Sequence, residues 1–128
     1  MTFNTTFVPP LDITPLSRVR KALVLMRPHL GMANTLAGVQ CALLIAELGD
    51  GCTPRQVAMG VDTLPAYVNL TIRNMARASD SGMPGAQPPA PLVRHHLPDG
   101  GRANADTPIT ITEHGKIVFA EIEALFAE

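Results

Sequence analysis

Residues 53–79 read TPRQVAMGVDTLPAYVNLTIRNMARAS, and the way this stretch is punctuated decides the fold. Thr53-Pro54-Arg55-Gln56 spells a capping box: the Thr53 hydroxyl accepts from the third backbone N–H, and Gln56 reaches back to the Thr53 N–H. The helix it opens is short, ending near Gly60, with Val57 and Val61 turned inward. Asp62 or Thr63 is expected to cap a second helix that runs through Ala78. Val68, Ile72 and Met75 form its buried stripe. Ala66, Leu70, Arg73 and Arg77 lie on the opposite face, with Tyr67, Asn69 and Asn74 at the shoulders. Two helices joined by a tight turn result.

Further along, residues 92–115 read LVRHHLPDGGRANADTPITITEHG. The spacing predicts a strand over 92–97, a turn over 98–106 and a second strand over 108–112, in which Ile109 and Ile111 alternate with Thr110 and Thr112. Thr112 then caps a final helix whose Val118, Ile122 and Leu125 share a face. Between the helix pair and this hairpin, residues 80–91 are so dense in Gly and Pro that they read as a loop. Helix-turn-helix followed by a β-hairpin is the winged-helix pattern, which commonly points a helix at a nucleic-acid groove.

Upstream, residues 1–13 read as an extended arm. Thr14-Pro15 then starts a helix, with Pro where its missing N–H costs nothing. Leu16, Val19, Leu23, Met26 and Leu30 recur at 3-4-3-4 spacing, a short apolar seam that Pro28 cuts off. Such a seam is one packed face of a bundle or a contact between two copies. Asn34 is placed to cap the next helix, LAGVQCALLIAEL, which is apolar on nearly every face and so central, and which stops at Gly49. The expected fold class is mainly α with a small β-hairpin: one winged-helix domain over 14–128, with N- and C-terminal helices for dimerisation.

The 128 residues fit a single domain, and aromatics are only 4%, so the core is built from aliphatic side chains and Met. Ten basic residues stand against eleven acidic ones, so nucleic-acid binding has to come from local clustering. The charges do segregate. Residues 53–104 carry Arg55, Arg73, Arg77, Arg94 and Arg102 against Asp62, Asp80 and Asp99, while the tail carries Lys116 against Asp106, Glu113, Glu121, Glu123 and Glu128.

Two cysteines make neither a disulfide framework nor a metal knuckle. Cys41 reads as a buried hydrophobe, and Cys52, after Gly49-Asp50-Gly51, as a candidate exposed thiol. No membrane-length apolar run or signal peptide is evident, which predicts a cytoplasmic protein without membrane association. His95 and His96 are adjacent on a strand and point to opposite faces, so they cannot converge on one metal; one is expected outward and one half-buried. No nucleophile–base arrangement, phosphate loop, dinucleotide fingerprint or partnered carboxylate pair is present, so neither an enzyme nor a cofactor is expected.

These pieces, in order, resemble the MarR-type winged-helix transcription regulators: LAGVQCALLIAELGDG, TPRQVAMGVDT, AYVNLTIRNMARAS, LVRHHLPDGGR and ITITEHGKIVFAEIEAL, over about residues 35–127. The resemblance implies a homodimer whose two winged helices read half-sites of a pseudo-palindrome, with dimer contacts from helices around 15–30 and 113–127. The family's Asp-Arg-Arg motif stands here as Asp99-Gly100-Gly101-Arg102, and residues 80–91 look like an insertion.

The expected partners are double-stranded DNA and a second copy. Arg73 is placed to fork onto guanine, Asn69 and Asn74 to pair with adenine, and Leu70 to meet a thymine methyl. Ala66 and Tyr67 complete that face. Arg77 suits a phosphate, Arg102 suits a narrow minor groove, Thr53 and Gln56 sit at a helix N-terminus that can hold a phosphate, and Arg55 and Arg94 complete the expected DNA-binding residues. Family members often bind a small-molecule effector, but no residue points to one here. The rival reading is a winged helix used as a protein-interaction module, favoured by near-neutral charge and by apolar Leu70 and Ala66.

Overall fold

A computed structural model describes residues 14–77 and 90–127; the expected arm over 1–13 and most of the Pro-rich stretch lie outside them. The chain is mainly helical with a two-stranded antiparallel sheet. Its helices are α1 (Pro15–Met26), α2 (Leu36–Leu48), α3 (Pro54–Val61), α4 (Pro65–Met75) and α5 (Glu113–Phe126). The strands β1 (Val93–His95) and β2 (Ile109–Ile111) pair Val93 with Ile111 and His95 with Ile109.

Local chemistry sets each boundary. Thr14 caps α1, accepting from the Ser17 N–H, and both halves of the capping box expected at Thr53 and Gln56 form on α3. Two caps differ from expectation. Thr35, not Asn34, caps α2 by accepting from Gly38, because Asn34 instead closes the 3-10 turn Gly31–Ala33. Leu64 precedes α4 without a side-chain cap, since leucine carries no acceptor, and Pro65 takes the first helical position. Asp62 ends α3 in the left-handed conformation at φ 56° rather than opening α4.

The core gathers Met26 and Leu30, Ile45, Val57, Val68 and Met75, the strand residues Leu92, Val93 and Ile109, and Val118 with Ile122. The expected α1 seam is therefore split. Met26 and Leu30 are buried, whereas Leu16, Val19 and Leu23 stay exposed, Leu16 at 84%. Cys52 is also buried rather than exposed, because the loop before it pairs with the sheet: Gly51 N–H donates to Ile109 C=O, and Ile109 N–H to Cys52 C=O. Asp50 extends that edge by accepting from the Ile111 N–H. Burial raises both thiols' pKa, which leaves them poor nucleophiles.

Two close approaches hold α4 and α5 in place. The turn after α1 lies against the C-terminal end of α4 and the residues just past it: Met32 N–H donates to Arg77 C=O, and a side chain on Gly31, at φ 53°, would run into that carbonyl and those of Asn74 and Met75. Gly115 likewise lets the first turn of α5 touch the Leu92 carbonyl. Thr112 caps α5 from beneath and donates to the carbonyls of Pro91 and Leu92.

Candidate nucleic-acid interface

The site is built where α4 meets the loop joining β1 and β2. Val68, Ile72 and Met75 are buried as the spacing predicts, so the opposite side of α4 faces out. Ala66, Tyr67, Leu70, Arg73 and Arg77 are exposed there, and Asn74 is half-buried. No acidic side chain occurs between Leu64 and Arg77.

Asn69 departs from the expected role of adenine reader. It is only 5% exposed and its amide is fully engaged. Asn69 Nδ2 donates to the Asn104 carbonyl at 3.2 Å, and Oδ1 lies 2.7 Å from His95 Nε2. With Oδ1 committed as an acceptor, the neutral His95 ring carries its proton on Nε2. His95 is half-buried and His96 exposed, as strand alternation requires. Burial, and then the nearby Arg73 guanidinium, hold the His95 pKa below its ordinary value.

The descending limb of the loop is tied to α3 as well. Asn104 bonds Thr107 through its N–H and Asp106 through its side chain. Asp106 in turn grips Arg55 with two hydrogen bonds of 3.0 and 3.2 Å, and the Arg55 N–H donates to the Ala105 carbonyl. Arg55 holds the Asp106 carboxyl below the usual range. Arg55, expected to face DNA, is thus paired within the chain by an ion pair that remains exposed to solvent. Residues 104–107 are thus clamped between α3 and α4. The tip beyond them is not clamped, and Gly100 and Gly101 adopt φ of 77° and 92° there.

Between α4 and the loop runs a crevice of about 740 Å3, lined in part by Ala66, Asn69, Arg73, His95, Leu97 and Arg102. It brings Arg73 and Arg102 together from elements 29 positions apart in the numbering (102 − 73). Arg94 is exposed on β1, and Thr53 and Gln56 are engaged in capping α3. The network of Asn69, His95, Asn104 and Asp106 escaped the sequence reading. His95 had one legible signal, its alternation on the strand; its partners are distant in sequence and carry none.

Among the described residues no helix is long and apolar enough to cross a membrane. No known protein family, curated protein or solved structure matches the chain.

Proposed function

We propose that this protein is a winged-helix, MarR-like regulator that binds specific double-stranded DNA as a homodimer. One observation supports the reading most: an acid-free, exposed face of α4 lies beside a β-hairpin whose free tip bears Arg102. In this reading α4 enters the major groove, with Ala66, Tyr67, Leu70 and Asn74 near base edges and Arg77 at a phosphate. The hairpin tip reaches the flanking minor groove through Arg102. The clamp at 104–107 fixes the distance between the two reading elements.

Dimerisation draws on the apolar surface that the monomer leaves open. Leu16, Val19, Leu23 and Val24 are exposed on α1, and Ile117 and Phe126 on α5. Such a patch on two packed helices favours a second copy. Selection of bound sequences from random duplex DNA tests the proposal. Two half-sites centred about one helical turn apart are expected, and recovery of no sequence above the starting pool sinks it.

One observation favours a second reading, a protein-docking module. Leu64 is 70% exposed, Met59 on α3 is 80% exposed, and Tyr67 and Leu70 are exposed on the α4 helix just before Arg73. A docking surface would make Leu70 the dominant anchor and leave binding nearly indifferent to salt. DNA binding requires a steep loss with salt, as arginines displace condensed counterions.

A further inference from the structure

The crevice between α4 and the hairpin is electrostatically one-sided. Arg73, Arg102 and His95 line it and no carboxylate does, although the chain as a whole bears a net charge of −1. Carboxylates close in sequence are placed elsewhere: Asp106 is held by Arg55, and Asp99 is not among the lining residues. Around His95 itself, α4 contributes Arg73, the loop contributes Arg102, and β2 contributes the uncharged Ile109 opposite. A neighbouring groove adds Arg94 beside Arg73 and His95, a further cation near the ring, and His96, just past β1, is exposed.

We propose that this crevice seats a phosphate group, gripped by Arg73 and Arg102, and that His95 takes up a proton as the phosphate binds. The proton inventory is set by Asn69. Its Oδ1 keeps a proton on His95 Nε2, so the second proton goes to Nδ1. Burial and the Arg73 charge favour the neutral ring. A phosphate anion between the arginines cancels the field that opposes protonation and supplies an opposite charge of its own. Binding and protonation are then reciprocal: phosphate raises the proton affinity of His95, and lower pH strengthens the seat.

The phosphate has two sources, free in solution or within a nucleic-acid backbone. The second source rests on the DNA reading above: with α4 in one groove and the hairpin in the next, the strand between them passes through this crevice. Arg73 is then a backbone contact rather than a guanine reader. Its loss lowers affinity uniformly across sequences and reduces the salt slope.

The test is an NMR titration of the His95 and His96 ring protons against pH. It is run in chloride, in inorganic phosphate at the same ionic strength, and with saturating duplex DNA. Inorganic phosphate is expected to raise the proton affinity of His95 roughly tenfold and to leave His96 unmoved. An Arg73→Met, Arg102→Met double variant should abolish the response. A phosphate response without duplex binding upholds the seat for free phosphate and removes the DNA reading. Duplex binding with His95 unmoved overturns the seat and leaves the DNA reading intact. Equal movement of His95 and His96, or none in any condition, also overturns the seat; the wild-type titration decides this even if the double variant misfolds.

Discussion

Replacing Asn69 with Ala removes a side chain that hydrogen-bonds α4 to both limbs of the hairpin. Two hydrogen bonds disappear, to His95 Nε2 at 2.7 Å and to the Asn104 carbonyl at 3.2 Å. Their costs differ. Asn104 is exposed, so water replaces most of what its carbonyl loses, and about 0.5 kcal/mol is expected there. His95 is half-buried and its N–H is less easily rehydrated, so about 1.5 kcal/mol follows on that side. The sum is about 2 kcal/mol, and with an m of about 1.5 kcal/mol/M it lowers the urea midpoint by roughly 1.3 M. Equilibrium unfolding followed by far-ultraviolet dichroism measures it. Asn69→Asp is the informative companion, since it keeps an acceptor for His95 while losing the donor to Asn104. It should recover most of the loss above pH 7 and raise the His95 pKa. A midpoint change under about 0.3 M for Asn69→Ala, below 0.5 kcal/mol, would refute the bridge as a source of stability.

The depressed His95 pKa makes stability depend on pH: below about pH 6.5 the unfolded chain binds more protons than the folded one, so stability falls with acidification. His95→Gln should flatten that slope in denaturation series between pH 7.5 and 5. Gly31→Ala should destabilise by about 2 kcal/mol or more, because it combines a left-handed φ with a clash against the α4 carbonyls; differential scanning calorimetry reads it, and a rise in melting temperature would contradict the packing described. Leu16→Glu with Leu23→Glu should leave the monomer fold intact, both residues being exposed, and should convert a dimer to a monomer in sedimentation velocity; an unchanged sedimentation coefficient would exclude α1 from the dimer contact. Leu70→Ala and Arg77→Ala, compared in anisotropy with duplex DNA at 50 and 200 mM salt, test the DNA reading: Arg77→Ala and the added salt should each weaken binding more than Leu70→Ala does, whereas the docking reading predicts no duplex binding at either salt.

Some local signals in the sequence formed as read, others had two readings, and contacts between distant residues were invisible. The capping box at Thr53 and the buried stripe of α4 follow from spacings of three and four residues, and both form as read. The hairpin follows from alternation in residues 109–112. Asn34 and Asp62 misled because Asn and Asp serve turns and left-handed positions as readily as caps, and nothing local separates the uses. Asn69 looked like a free polar shoulder since its partners lie 26 and 35 positions onward. Arg55 looked like a free cation for the same reason, Asp106 being 51 positions away. Cys52 looked exposed because a glycine-flanked loop gives no hint that it will lie along a strand.

The clamp on residues 104–107 has a consequence for how this molecule can be remodelled. Among the described residues, the hydrogen bonds that tie the hairpin loop to α3 and α4 are made by Asn104, Ala105 and Asp106. The apex at Gly100 and Gly101 has open space around both glycines. Residues added or removed at that apex change how far the loop projects while the anchored limb, the crevice floor and the α3–α4 pair keep their coordinates. Reach and stability are separate variables here, and an engineer can set the first without spending the second.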